Sequence, residues 1–324
     1  MDLIFRLVRF IDLERCVSLL RGHLAYPSEV LDQLPPVWRR LLREDALNFI
    51  VIEDRARRAP TRIVAFGASV FVTDAFMREA RAATEPYLTA RLIRRELRPG
   101  SPILREADIR KASAAGGLNL FVLHYGEAAN LLGEDELRQV RYLMMEAFLW
   151  DHCGYRIKEV LQELWDEIDP AYVRPGWGRV RTEYREYYAG RGLPLPPAGQ
   201  GPLLIGLTRD EVQANPGSTI MGSLFAYTPP RFGFRRGEQQ LLKRALLGEL
   251  DPEVARMLRI APATVKSRWR AIYDRVGTSA AGLLPDLDGA MDARGKEKRR
   301  RVLEYLRHHL EELRPFAPAT RSGS

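Results

Sequence analysis

Residues 235–284 contain helix-breaking residues at short intervals, and their spacing restricts this segment to three short helices. Gly248 suits the C-terminal end of a helix that begins near residue 238. Asp251 and Pro252 are residue types that start a helix, an N-cap followed by proline at the first helical position. Pro262 starts a third helix in the same way. The segment therefore predicts a small all-α domain.

The apolar residues of this segment recur at helical spacing and predict one shared core. On the third helix, Val265, Trp269 and Ile272 fall on a single face. The predicted core comprises Val254, Ala255, Leu258, Ile260, Val265, Trp269 and Ile272. The opposite face of the third helix carries Lys266, Ser267 and Arg270. An apolar face backing a cationic N-terminal half is the arrangement that a helix needs to enter the major groove of DNA.

With these residues the segment resembles the LuxR-type helix-turn-helix family of bacterial transcription regulators. The matching residues are Gly248, Glu253, Val254, Ala255, Leu258, Ile260, Thr264, Val265, Lys266, Ile272 and Gly277. The resemblance implies that base edges are contacted by Lys266, Ser267 and Arg270. We expect phosphate contacts from Thr264, Arg268 and Arg275. The match covers about 50 residues, and it favours a sequence-specific regulator that binds double-stranded DNA.

Two positions depart from the family pattern. Arg235-Arg236 replaces the usual Thr-Pro at the first helix, and Ala261 replaces the usual serine before the third. Loss of a serine N-cap removes one hydrogen bond, at a cost of about 1 kcal/mol. A sigma-factor element would also fit residues 264–268, but the strand-rich sequence before residue 230 argues against a sigma factor.

The charge distribution supports a polyanionic partner for the last third of the chain. The net charge is +8, from 50 Lys+Arg and 42 Asp+Glu. Residues 231–324 hold 20 basic and 12 acidic residues, a net charge of 20 − 12 = 8, so all of the excess positive charge lies in this segment. The first 230 residues hold 30 of each sign. Such asymmetry is typical of a nucleic-acid-binding segment attached to a neutral domain.

Residues 1–230 alternate strand-like and helix-like segments and predict a mixed α/β domain. Strands are predicted at residues 5–11, 48–52, 62–72, 117–125, 203–207 and 220–227, with a bulge at Gly67. Helices are predicted at residues 13–21, 38–42, 76–97 with a break at Pro86, 134–150 and 157–168, and Pro35-Pro36 is expected to break the chain. The acids Glu163, Asp166, Glu167 and Asp169 are interpreted as a solvated helix face. His124 is interpreted as a core histidine.

The order of these elements resembles a GNAT acetyltransferase. That resemblance implies that the diphosphate of acetyl-CoA binds backbone amides at a helix N-terminus after the fourth strand. Here residues 124–130 lack the glycine spacing of that loop, and Glu127 would repel a phosphate. We therefore expect a degenerate domain that senses or scaffolds, and a protein that is not an enzyme. The alternative is a GNAT-type N-acetyltransferase with an attached DNA-binding module.

The predicted organisation is an α+β (mixed α/β, GNAT-like) domain at 1–230, an all-α helix-turn-helix domain at 231–285, and a basic linker with an amphipathic helix at 286–324. The leucine stripe of residues 300–314 predicts a homodimer. Two cysteines exclude a disulfide framework, and no secretory pattern or membrane-length apolar run is present, which predicts a cytoplasmic protein. We expect no cofactor and no metal, and a small-molecule effector is the expected input to the first domain.

Overall fold

The computed structural model describes residues 1–20, 28–164, 178–194, 202–284 and 291–316. The chain divides into two compact units. Unit 1 comprises Met1–His152 and Arg156–Phe225, and unit 2 comprises Cys153–Tyr155 and Ala226–Ser324. Each unit is described by itself below.

Unit 1 is built on a mixed seven-stranded sheet. Its strands are β1 Leu3–Leu7, β2 Asn48–Asp54, β3 Ile63–Val72, β4 Leu118–Glu127, β5 Ile157–Leu164, β6 Arg179–Thr182 and β7 Leu203–Thr208. Their order across the sheet is β1-β2-β3-β4-β5-β7-β6. Strands β4 and β5 pair in parallel, whereas every other pair is antiparallel. The predicted mixed α/β class of this unit is confirmed.

Helices cover both faces of this sheet. They are α1 Leu13–Leu20, α2 Ser28–Arg43, α3 Asp74–Arg81, α4 Leu88–Glu96, α5 Glu106–Ala114, α6 Glu134–His152, α7 Arg185–Gly190 and α8 Arg209–Ala214. On one face, Trp38 of α2 packs edge-on against Phe49 and Phe66, with ring centroids 5.0 and 5.7 Å apart. On the other face α6 lies so close that a Cβ on Gly67 would stand 3.2 Å from the Met144 sulfur. Both faces are therefore buried, which is why the central strands are apolar on both sides.

Within its described residues, unit 2 contains helices and turns without a named strand. The helices are α9 Arg236–Leu246, α10 Asp251–Leu258, α11 Pro262–Ser279 and α12 Met291–His308, followed by a 3-10 turn at Leu310–Leu313. Its core joins residues of α9, α10, α11 and α12 with Phe232 and Phe234, which precede α9. The end of the described chain closes this core, because Leu313 is buried in it.

A buried carboxylate fastens the segment that leads into α9. Glu312 is fully buried, and it accepts hydrogen bonds from the backbone N–H groups of Arg231 at 2.8 Å and Phe232 at 2.9 Å. Gln239 of α9 donates to the carbonyl oxygens of Glu312 at 3.2 Å and Arg314 at 2.6 Å. Burial raises the pKa of Glu312, so this contact carries a desolvation cost that the two amides offset only in part.

The helix predicted at residues 157–168 is wrong. Residues 157–164 form β5, a central strand between β4 and β7. The sequence Ile-Lys-Glu-Val-Leu-Gln-Glu-Leu is rich in good helix formers, but two strand partners and burial on both faces override that propensity. Glu163 is consequently buried on a strand rather than exposed on a helix. Asp166, Glu167 and Asp169 lie outside the described residues.

Four other predictions of secondary structure need correction. Pro35 and Pro36 lie inside α2, because the buried Leu34 and Trp38 hold the helix together across the lost amide donors. Residues 220–225 form a 3-10 helix instead of a strand. Helix α5 was not predicted, since its sequence lacks an apolar stripe. Residues 291–308 form α12 where a linker was predicted up to 300, and charged pairs of Glu297 with Arg300 and Arg301 stabilise it.

Candidate functional site

Strands β4 and β5 separate in the middle of the sheet of unit 1. Their parallel pairing runs from Leu118 with Ile157 to Val122 with Gln162. Beyond this point β4 continues to Glu127 against β3, and β5 continues to Leu164 against β7. The two strands therefore follow opposite halves of the sheet, and we call the place where they part the fork.

A β-bulge lies at the fork. Ala68 of β3 pairs with His124, whereas the next residue, Ser69, pairs with Val122, so Leu123 is an extra residue on β4. The Leu123 carbonyl oxygen accepts a hydrogen bond from the Thr89 hydroxyl at 3.2 Å. Bulges concentrate near functional sites because they redirect backbone and side chains locally. A bulge was predicted on β3 at Gly67. The observed bulge lies opposite Ala68 and Ser69, and its extra residue, Leu123, is on β4.

Glu163 places a buried carboxylate on the other side of the fork. It follows Gln162, the last residue of β5 that pairs with β4, and it is 6% exposed. Its Oε2 atom accepts a hydrogen bond from the Leu88 backbone N–H at 3.0 Å. Leu88 and Thr89 begin α4. The first turn of α4 therefore binds both arms of the fork, through Glu163 on β5 and the bulge on β4.

Tyrosines surround this carboxylate. Burial, reinforced by the negative charge of Glu163, raises the pKa of Tyr184, which is 2% exposed. Burial likewise raises the pKa of Tyr87 and of Tyr188, and the Glu163 charge contributes to both shifts. Each of these phenols consequently keeps its proton at neutral pH. The Arg191 guanidinium lies over the Tyr187 ring at 4.1 Å from its centroid, a cation–π contact within the cluster.

His124 lies on β4 just past the bulge and is buried, as the sequence predicted. Its ring stands edge-on to Trp38, with centroids 5.4 Å apart. Burial lowers the pKa of His124 to about 3, so the imidazole is neutral at pH 7. His124 therefore contributes packing beside the fork and no positive charge.

The segment after β4 does not fit a diphosphate. Helix α6 begins there, and its first turn carries Glu134, Asp135 and Glu136. Between residues 127 and 141 the sequence holds four acidic and two basic residues, so 4 − 2 leaves two excess negative charges. A helix N-terminus attracts anions, but here the protein's own carboxylates already take that place. The expectation that Glu127 opposes phosphate binding is thus reinforced by three further acids.

In unit 2, the predicted base-contacting residues Lys266, Ser267 and Arg270 are exposed on α11. Thr264 is half-buried near the start of the same helix. The turn before α11 holds Arg259 in the left-handed region with φ of 52°, and Ala261 provides no side-chain cap, as expected from its residue type. The structure thus places the three predicted base contacts on one solvent-facing side of one helix.

Two predicted phosphate contacts have partners within unit 2. Arg268 donates from its guanidinium to the Gly237 carbonyl oxygen at 3.1 Å. Arg275 pairs with Glu238, with 3.5 Å between Nε and Oε2. Both residues connect α11 to α9, so each has a structural role besides any contact with phosphate.

The predicted core of this segment divides into buried and half-buried positions. Val254, Ala255, Val265, Trp269 and Ile272 are buried, and Leu258 and Ile260 are half-buried against the same core. Three contacts join Trp269, Asp251 and Arg299. The Trp269 ring N–H donates to Asp251 at 3.2 Å, Arg299 pairs with Asp251 at 2.8 Å, and Arg299 lies over the indole at 4.7 Å. Helix α12 is therefore fastened to α10 and α11.

The described residues include neither a candidate metal cluster nor a helix able to span a membrane. Among them, no group of three or more histidine, cysteine or acidic side chains could hold a metal ion. Among the same residues, no helix combines the length and the apolar character needed to span a bilayer.

The fork was not predicted from the sequence. Residues 157–168 were predicted as a helix, and Glu163 was interpreted as part of its solvated face. The polar residues of 157–164 come in adjacent pairs four positions apart, which is a helical spacing and gives no indication of a parallel partner about 40 residues away. Tyr184 lies in a segment for which no helix or strand was predicted, and its proximity to Glu163 depends on the folded sheet.

No family model matches the chain, and no curated protein matches its sequence. Solved structures with similar architecture include Arabidopsis thaliana NAA60 in complex with acetyl-CoA, at 13% identity and a TM-score of 0.34, covering 64% of this chain and 98% of that one. The spermidine/spermine N-acetyltransferase SpeG from Vibrio cholerae is similar at 12% identity and a TM-score of 0.34, covering 66% and 97%. FeeM, an N-acyl amino acid synthase from uncultured soil microbes, is similar at 10% identity and a TM-score of 0.35, covering 68% and 97%.

These comparisons correct one expectation from the sequence. The prediction that the chain is not an enzyme is contradicted, because the similar structures include an N-acetyltransferase and an N-acyl amino acid synthase. The mixed sheet of unit 1, with its parallel β4–β5 pair, is consistent with a GNAT-like fold. The LuxR-type resemblance of unit 2 has no counterpart among these structures.

Proposed function

We propose that unit 1 is a GNAT-type N-acyltransferase that moves an acyl group from a thioester to an amine at the fork. The observation that carries this proposal is the buried carboxylate of Glu163, held by the same helix turn that binds the bulge of β4. A buried carboxylate can accept a proton, and the nitrogen of an attacking amine must lose one as it becomes an amide.

The fork also suits an acyl donor that has an extended thiol arm. Backbone groups of β4 and β5 past Val122 and Gln162 no longer pair with each other, and buried backbone polar groups require partners. A thioester arm that contains amides can supply them, much as a peptide adds to a strand edge. The acyl carbon would then lie near the bulge at Leu123, between the two arms.

The reaction balances with two residues of the fork. The amine nitrogen attacks the thioester carbonyl carbon, the carbon–sulfur bond breaks, and the products are an amide and a thiol. Glu163 takes the proton that the amine loses. Tyr184, which keeps its own proton at neutral pH, can relay this proton by giving one to the departing thiolate while it takes one from Glu163, so that no buried tyrosinate forms.

The direct test is thiol release by the purified full-length chain. The donors are acetyl-CoA and S-acetyl-pantetheine, and the acceptors are a polyamine, a lysine-containing peptide and a free amino acid. We expect amine-dependent thiol release with a mass-detected amide product. Absence of amide with every pair of donor and acceptor would refute acyl transfer.

A second function is favoured by a separate observation, the exposed cationic side of α11. We propose that unit 2 binds double-stranded DNA in a sequence-dependent way through Lys266, Ser267 and Arg270, with a lysine or arginine to guanine as the expected pairing. The excess of eight positive charges in residues 231–324 supports attraction to phosphates.

The test of this second function is selection of binding sites from a random DNA pool. A double variant, Lys266→Glu with Arg270→Glu, is the comparison. An enriched motif that the variant loses would support the proposal, and a two-fold motif would support the proposed homodimer. Equal and unenriched binding by both proteins would refute sequence-specific recognition by α11.

A further inference from the structure

The acids at the start of α6 bear on the identity of the acyl donor. In unit 1 this helix N-terminus follows β4, which is where a GNAT resemblance places the donor's diphosphate. Glu134 and Asp135 are exposed there, and Glu136 is half-buried. Three carboxylates in one turn repel a diphosphate and lower the local concentration of any polyanion.

Three backbone donors in the same segment already bind acceptors of the protein itself. The Ala128 N–H donates to the Val64 carbonyl at 2.8 Å, and the Leu131 N–H donates to the Ala128 carbonyl at 2.8 Å. The Gly133 N–H donates to the Glu136 carboxylate at 3.1 Å. A diphosphate would have to displace a carboxylate of the protein itself from the last of these amides.

Nearby arginines pair with acids of the same region. Arg141 donates to both carboxylate oxygens of Glu127, with Nε at 3.2 and 3.1 Å from them. Arg138 pairs with Asp135 at 3.1 Å. Arg57 pairs with Asp54 at 3.0 Å and lies 3.7 Å from Glu136. Binding a diphosphate here would therefore break existing ion pairs.

We propose that the acyl donor of unit 1 is a thioester recognised through its acyl group and thiol arm, with no nucleotide diphosphate held at α6. This inference rests on the proposed acyl transfer, and it names the donor class. The chemistry at the fork is unchanged: the amine attacks the thioester carbon, and the thiol leaves with a proton. S-acetyl-pantetheine, which lacks the nucleotide diphosphate, should therefore be used as efficiently as acetyl-CoA.

The experiment compares kcat/KM for acetyl-CoA and S-acetyl-pantetheine with the full chain and one accepted amine. We expect the two donors to agree within about threefold, whereas a diphosphate site would favour acetyl-CoA by more than about tenfold. A triple variant, Glu134→Gln with Asp135→Asn and Glu136→Gln, should raise kcat/KM for acetyl-CoA and leave the truncated donor unchanged. The matched control is Glu106→Gln with Asp108→Asn, which neutralises first-turn acids of α5 and should change neither value.

The outcomes separate the two proposals. Similar use of both donors supports both the donor class and acyl transfer. A strong preference for acetyl-CoA, or a triple variant that uses acetyl-CoA less well, overturns the donor class and leaves acyl transfer standing. Use of neither donor with any amine overturns acyl transfer, and the donor class falls with it.

Discussion

Replacement of Glu163 by glutamine separates its chemical role at the fork from its structural one. The carboxylate is 6% exposed and accepts the Leu88 N–H at 3.0 Å. Glutamine has nearly the same shape, and its amide oxygen can keep that hydrogen bond. What it loses is the negative charge and the ability to take a proton. Glu163→Gln should therefore fold normally and lose catalysis.

The magnitudes follow from the contacts. Loss of a general base lowers a rate by about 10²- to 10⁴-fold, so kcat should fall within that range. Glu163→Ala instead leaves the buried Leu88 N–H without its acceptor, at about 1–3 kcal/mol. For a unit of this size that cost lowers Tm by roughly 2–12 °C. Removal of the charge should also lower the pKa of Tyr184, since Glu163 contributes to raising it.

The assay combines amine-dependent thiol release with calorimetric Tm. Glu159→Gln is the matched control, because Glu159 lies on the same strand, is equally buried at 6%, and pairs within the parallel segment before the fork. It should retain activity within a fewfold of the unmodified chain. If Glu163→Gln folds and also retains such activity, Glu163 is not the proton acceptor.

Three further predictions test other parts of the chain. The Arg181 guanidinium lowers the pKa of Glu211 to about 2, so the stabilisation from this ion pair is complete above about pH 4.5 and should be lost, by at most about 3 kcal/mol, as pH falls towards 2. In urea unfolding, the free energy of unfolding of Glu211→Gln should therefore fall less than that of the unmodified chain between pH 4.5 and pH 2, and an equal fall would contradict the assignment. Arg270→Ala should weaken DNA binding by about 1–3 kcal/mol and relax the sequence preference at one base pair, and an equal loss of affinity for all DNA sequences would argue against a base contact. Arg268→Ala should mainly lower the Tm of unit 2, because Arg268 binds the Gly237 carbonyl oxygen. Glu312→Ala should destabilise unit 2 by about 2–5 kcal/mol in calorimetry because two buried N–H groups lose their acceptor, and a change below about 1 kcal/mol would show that they find another.

The success of sequence analysis in unit 2 reflects local physics. Helix α11 was predicted from Pro262 and from an apolar face three or four residues apart, and both depend on neighbours within one or two turns. The cationic side followed from the same periodicity. The tertiary contacts of α11 could not be predicted from that periodicity. The contact of Arg268 with Gly237 and that of Arg299 with Trp269 each join residues about 30 positions apart.

The failures in unit 1 have a common cause. Residues 157–164 have the composition of a helix, and residues 34–36 have the composition of a break, yet packing assigned the first to a strand and kept the second inside a helix. Intrinsic helix propensities differ by fractions of a kcal/mol for most residues and by about 3 kcal/mol for proline, whereas burial of each large apolar side chain contributes about 1.5–3 kcal/mol, and α2 buries several, among them Leu34, Trp38 and Leu41. Where the two conflict, tertiary burial wins.

The sequence by itself determined the mixed α/β character of unit 1, the helices of α9 to α11, the charge asymmetry and the mismatch of the post-β4 segment with a diphosphate. These properties are encoded in residue types and short periods. Only the tertiary structure decided that β4 and β5 run in parallel and part at Val122, and that Glu163 and Tyr184 lie together at that point. The reason is physical: strand pairing is non-local, so no window of sequence contains both partners of the fork.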